Sequence, residues 1–152
     1  MIAKTMMHIR HFGNAEQYIN LMQLEDGREY LRQVYLGDLE LARGNLNKAK
    51  DVCNAISQDD SNVQYEIGER FNRINEYDQA ITCFKHSFDM ATPPRYLDAV
   101  YSLAFLYTKL GRKAEAIEAW ELILNTLASD FHDSDSESVE WERREIRKLQ
   151  ES

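Results

Sequence analysis

The chain repeats itself. Shifting its 152 residues by 31 positions lays Leu36-Gly37 on Ile67-Gly68, Gly44 on Asn75, Ala49 on Ala80 and Cys53 on Phe84. A further shift of 36 brings the same columns to Leu103-Ala104, Gly111, Ala116 and Trp120. A period of this size marks a helical repeat array, in which each copy buries its apolar face only by stacking on its neighbours. Such arrays carry surfaces for other proteins far more often than catalytic groups, so the pattern points to a class of function without naming a partner.

Each copy reads as two amphipathic helices with a break between them. In the third copy Tyr96, Val100, Leu103, Tyr107 and Leu110 recur every three or four positions, as on one helix face. Gly111 follows, where a left-handed residue ends a helix without strain. Ala116, Ile117, Trp120 and Ile123 then define a second helix. The second copy has Ile67, Phe71 and Ile74, a break at Asn75, then Ala80, Ile81, Phe84 and Phe88. Asparagine tolerates the left-handed region better than other residues with a side chain. The first copy gives Leu36, Leu39 and Gly44, then Leu46, Ala49, Val52 and Cys53.

The small residues in mid-helix need a packing reason. Glycine there costs about 1 kcal/mol relative to alanine, so Gly37 and Gly68, with Ala104 in the same column, predict close helix–helix approach. Ala49, Ala80 and Ala116 are expected to receive large neighbours from the paired helix.

The column order of small residue, turn glycine, alanine and aromatic resembles the tetratricopeptide repeat. It is carried by Gly37/Gly44/Ala49/Cys53, Gly68/Asn75/Ala80/Phe84 and Ala104/Gly111/Ala116/Trp120. The resemblance implies an all-α fold: an alpha-alpha superhelix, or solenoid, of antiparallel helix pairs closed by a C-terminal capping helix. The expected single domain comprises a degenerate N-terminal helix pair over 1–28, repeats over 29–59, 60–95 and 96–128, and an acidic loop with a capping helix over 129–152. The late small residue of the family is replaced by Ile56, Ser87 and Ile123 in the three copies.

Helix starts are expected at three capping boxes, Asp26 to Glu29, Ser61 to Gln64 and Ser134 to Glu137. Thr92-Pro93-Pro94 is read as the opening of the third copy. Near the N-terminus Ile2, Met6, Met7, Ile9 and Phe12 are many apolar residues for a terminal cap. They are expected to pack on the next helix or to join a second copy of the chain.

Composition sets limits. The net charge is −8, which argues against gripping nucleic acid and mildly favours a basic partner. The sequence has no apolar run that would cross a bilayer and no secretory signal pattern, so a cytoplasmic protein that does not engage membranes is expected. Cys53 and Cys83 fall at apolar helix positions and read as buried thiols.

No catalytic site, cofactor or metal site is expected. The chain lacks a glycine-rich phosphate loop, Gly-x-Ser-x-Gly and His-Glu-x-x-His. His8 and His11 could share a helix face, but two ligands alone make a poor metal site. Glu66 and Glu69, one turn apart, read as a solvated face rather than an acid–base pair.

The resemblance also implies where a partner would bind. First helices of successive repeats line a concave groove, which assigns to it Tyr35 and Asp38 from the first copy. The second copy contributes Tyr65, Glu66 and Glu69, and the third Asp98, Tyr101 and Phe105. Val34 and Asn62 belong to the same implied set. Tyrosines between carboxylates suggest an acidic–aromatic groove for a peptide or protein segment, with aromatic anchors. Glu140 and Glu142 are expected outside it, on the exposed final helix. One subgroup of the family clamps acidic chaperone tails with basic residues, but the matching positions here read Val34, Asp38, Glu66, Asp98 and Ser102, which contradicts that role. The competing reading is a sensor or regulatory repeat domain of a bacterial peptide-responsive transcription regulator, suggested by the Thr92-Pro93-Pro94-Arg95-Tyr96 lead-in.

Overall fold

The structure is a computed structural model and describes residues 12–24, 28–56, 60–135 and 137–152. Among these residues every regular element is a helix: α1 (Phe12–Leu21), α2 (Tyr30–Ala42), α3 (Leu46–Ala55), α4 (Ser61–Arg73), α5 (Tyr77–Met90), α6 (Asp98–Lys109), α7 (Lys113–Asp130) and α8 (Glu140–Glu151). The all-α expectation holds.

The three intra-repeat turns are built alike. Gly44, Asn75 and Gly111 have φ of 80°, 63° and 70°, the left-handed region that glycine, and next asparagine, enters at least cost. In each turn the amide after that residue donates back five positions: Asn45 to the Glu40 carbonyl, Glu76 to Phe71 and Arg112 to Tyr107, at 2.8–2.9 Å. This is the Schellman closure, which satisfies carbonyls orphaned by the helix end. Four residues on, the alanine of the next helix donates to the same turn: Ala49 to Asn45, Ala80 to Glu76 and Ala116 to Arg112.

The alanine and aromatic columns are buried in all three copies, as are Ile56, Ser87 and Ile123 in the late position of the second helix. At Gly37 an added Cβ would lie 3.6 Å from Val52 Cγ1 and 3.8 Å from Cys53 Sγ. That is ordinary van der Waals contact, so the site has room for one methyl, which is what Ala104 places in the third copy.

The chain divides into two compact units within the second repeat. One runs to residue 59 and adds Glu66–Ala80; the other takes Asp60–Tyr65 and Ile81–Ser152. In the first, α2 packs along α3 and α1 along α2; Ala15, Ile19 and Leu39 form a buried cluster edged by Phe12, Tyr35 and Leu36. In the second, α6 packs along α7 and α7 along α8, around Phe84, Val100, Trp120 and Ile123.

Several helix starts differ from expectation. Asp60, not Ser61, caps α4: its Oδ1 accepts from the amides of Asn62 at 2.8 Å and Val63 at 3.2 Å. Ser61 is used elsewhere, donating to the Ser87 carbonyl at 2.7 Å while Ser87 Oγ donates back to the Ser61 carbonyl at 2.8 Å. Helix α8 starts at Glu140 rather than 137, because Asp135 turns the chain first by accepting from the Glu137 amide. The loop before it also begins later than expected, since α7 continues to Asp130. Pro93 and Pro94, joined by a cis bond, precede α6 rather than entering its first turn. Asp26, and Ile2, Met6, Met7, His8, Ile9 and His11 with their expected roles, lie outside the described residues.

Candidate functional site

In the first unit two of the expected groove acids, Asp38 and Glu66, are tied up. Arg70 of α4 forks onto Asp38 of α2, Nε donating to Oδ1 at 3.1 Å and Nη2 to Oδ2 at 3.0 Å. Its Nη1 donates to Glu66, one turn earlier on α4. The side chains of Arg70 and Asp38 are only 7% and 9% exposed. Burial works against the Arg70 charge, but the charges and hydrogen bonds of Asp38 and Glu66 outweigh it and hold its pKa above the ordinary arginine value. Arg73 adds a longer contact to Asp38 at 3.4 Å. Asp38 is therefore a structural acid and not an open groove charge, and Glu66 is half-committed to the same guanidinium. Tyr35 packs at the edge of the Ala15/Ile19/Leu39 cluster, and Val34 is fully in the core. Glu69 is partly exposed on α4.

In the second unit the expected residues converge on two adjoining stretches. Tyr65 and Asp98 line one cleft of about 200 Å³, with Asn62 and Tyr96 beside them and the Ser61–Ser87 hydrogen bonds at its base. The Tyr65 ring is steadied by Phe84, with centroids 5.9 Å apart. Asp98 is exposed in the first turn of α6, where a carboxylate suits the helix dipole. Arg95 fixes the lead-in, forking onto Asp130 at 2.8 and 2.9 Å and lying 4.8 Å from the Phe88 ring centroid. That fork, with the Arg95 amide and Ser129 hydroxyl, holds the Asp130 carboxyl well below the usual carboxylate range.

One turn along α6, Tyr101 and Phe105 meet tryptophans from the next two helices. Trp120 of α7 is 1% exposed and forms the floor; Phe105 stands edge-on to it at 5.4 Å and Tyr101 at 5.8 Å. Trp141 of α8 closes the cluster, 5.1 Å from Trp120, 6.0 Å from Tyr101 and 6.1 Å from Phe105. These separations and tilts are those of favourable aromatic pairs. The Tyr101 hydroxyl donates to Glu142 Oε1 at 2.6 Å. Burial first, then the Glu142 hydrogen bond and charge, raise the Tyr101 pKa, so the phenol stays protonated and donating. Glu142 is buried, not exposed as expected, and its Oε2 has no hydrogen-bond partner. Phe105 and Trp141 keep 50% and 44% of their surface open to solvent.

Sequence reasoning missed Trp141, Glu142 and Tyr96 as neighbours of this surface. The available signal was Trp141 itself, the one large aromatic on an otherwise charged final helix.

Among the described residues no helix is long and apolar enough to cross a membrane. No family model and no curated protein matches the chain. Solved structures do match. A kinesin light chain-like protein of Podosopora anserina with nearly identical TPR-like repeats, in its Q17M form, is 15% identical with a TM-score of 0.66, covering 99% of this chain and 82% of that one. The same protein in a second structure is 13% identical with a TM-score of 0.59, covering 98% and 92%. MamA is 20% identical with a TM-score of 0.56, covering 99% and 94%. At these identities the likeness is one of fold.

Proposed function

From a tetratricopeptide-like fold, we propose that this chain is a non-catalytic, cytoplasmic scaffold that binds a peptide or protein segment on the aromatic face of its second unit. The observation that carries this reading is the half-open pair Phe105 and Trp141, held in place by buried Trp120. Large apolar rings are rarely left in contact with water and with each other without a use, and aromatic side chains on a rigid base are the usual anchors of interfaces. The neighbouring cleft of Tyr65 and Asp98 extends the same surface and adds a carboxylate. With a net charge of −8, this favours a segment carrying lysine or arginine. Asp38 and Glu66 are assigned to holding the first unit together.

The test uses the chain as bait beside a Phe105→Ala, Asp98→Asn variant of matched melting temperature. A partner captured by the parent and identified by mass spectrometry is then measured by kinetics against each single variant. Phe105→Ala is expected to speed dissociation, and Asp98→Asn to slow association, the latter more at low salt. A partner that binds both as tightly as the parent, yet is lost on an exposed change elsewhere such as Glu121→Lys, would remove the aromatic face from consideration.

A further inference from the structure

A second cavity opens on a different side of α6, among α5, α6 and α7 within the second unit. It holds about 250 Å³. Its floor is apolar, made by Phe88, Val100, Leu103 and Ala119, with Leu122 partly exposed at the edge. Tyr107 also lines it. That tyrosine is almost completely buried, its ring lies 4.8 Å from the Arg112 guanidinium carbon, and its hydroxyl has no hydrogen-bond partner. A buried hydroxyl that has lost water and gained nothing in return is an uncommon feature of a folded protein.

The mouth carries Lys85, Asp89, Glu115 and Glu118. Arg112 engages Glu115 at 2.8 Å, and Lys85 also acts on Glu115, helping to hold its carboxyl below the usual range. Asp89 and Glu118 are exposed and have no ion pair among the described residues. The mouth is therefore net negative above an apolar floor.

Two properties select an occupant. The volume lies below the roughly 300–1,000 Å³ of most small-molecule sites and suits one large side chain. The two unpaired carboxylates suit a cation beside that side chain. We propose that this cavity seats a single bulky apolar side chain of a partner protein, flanked in sequence by lysine or arginine. The proposal rests on the scaffold reading but concerns a surface separate from Phe105 and Trp141.

The experiment titrates the full ¹⁵N-labelled chain with three capped dipeptide amides: N-acetyl-Phe-Lys, N-acetyl-Phe-Glu and N-acetyl-Ser-Lys. Phe-Lys is expected to bind in the millimolar range and to shift amides around Lys85, Leu103, Tyr107 and Glu118. Phe-Glu is expected to bind at least about threefold more weakly through repulsion at the mouth, and Ser-Lys to leave those amides unmoved. Ala119→Leu should fill the floor and abolish binding. Because that change sits in the core, the exposed Glu118→Lys is the companion variant: it should fold as the parent does and bring Phe-Lys down to the level of Phe-Glu. Absence of shifts at saturating Phe-Lys, equal binding of Phe-Lys and Phe-Glu, or indifference to Glu118→Lys would each overturn the proposal. Shifts confined to Phe105 and Trp141 would also overturn it, while leaving the aromatic face intact as a binding surface.

Discussion

Asp38 and Arg70 show how much one residue pair can decide. Two parallel hydrogen bonds in a nearly dry setting make their pairing strong in geometry, yet the desolvation of both charges offsets much of the gain. The damage comes from separating them. Asp38→Ala leaves a buried guanidinium with only Glu66 to answer it, and urea unfolding should show a loss of about 3 kcal/mol. The double variant Asp38→Ala, Arg70→Met should recover most of that loss; a single-variant loss below about 1 kcal/mol would place the pair with ordinary surface contacts. The two residues stand 32 apart, close to the repeat length, so the period could bring their helices together. It could not tell whether Asp38 would meet Glu69, its column partner, or Arg70, one position on. That choice is made by side-chain reach and charge, and the acid read from sequence as a groove residue was settled that way. Cys53 lies near the same pair. Burial pushes its thiol up from 9.0 to about 11, with Arg70 drawing it down and Asp38 adding to the rise. Because the folded value is the higher one, its contribution to stability is fully present below about pH 9 and is lost as pH rises through about 11. The expected outcome is a downturn of stability across that window which Cys53→Ala lessens, Tyr101 accounting for a part that remains above about pH 10, together with negligible reaction of the native thiol with a disulfide reagent at pH 8, where the reactive thiolate is scarce.

At the scale of elements, α8 is where the chain adds something its repeats do not contain. A capping helix and its apolar side were legible from the sequence, but not which side chains of α6 they would meet. Helical spacing places Val139, Ile146 and Leu149 on one side, where Glu142 also falls and where Val139 and Glu142 are buried; the partners of Glu142 and of the flanking Trp141, Tyr101 and Phe105, lie some forty residues earlier. No local pattern encodes a contact of that separation. Trp141→Ala should destabilise the chain by about 2 kcal/mol, low for a tryptophan truncation because the ring is half open. Trp120→Ala, at the buried floor, should cost about twice as much. Chemical denaturation of both variants checks the order; equal losses would mean that α8 is held by contacts other than its aromatic one.

Across the whole molecule, backbone features were the most readable. Three turns with the same left-handed residue and the same five-residue return bond follow directly from Gly44, Asn75 and Gly111, because a left-handed position admits so few residue types. The division of the chain inside its second repeat was not readable, since it depends on contact density and not on any residue type. The candidate surface was half readable: Tyr65, Asp98, Tyr101 and Phe105 do gather in the second unit, while Asp38 and Glu66 of the first turn to Arg70. The placement of the two tryptophans has a further consequence. They are the only two in the chain, and both stand in the single cluster on α7 and α8, one shielded and one half in water. Intrinsic fluorescence excited at the indole band therefore reports on that cluster alone: a segment settling over Trp141 changes the emission without any attached label, whereas events confined to the first unit, which holds tyrosines but no indole, pass almost unseen.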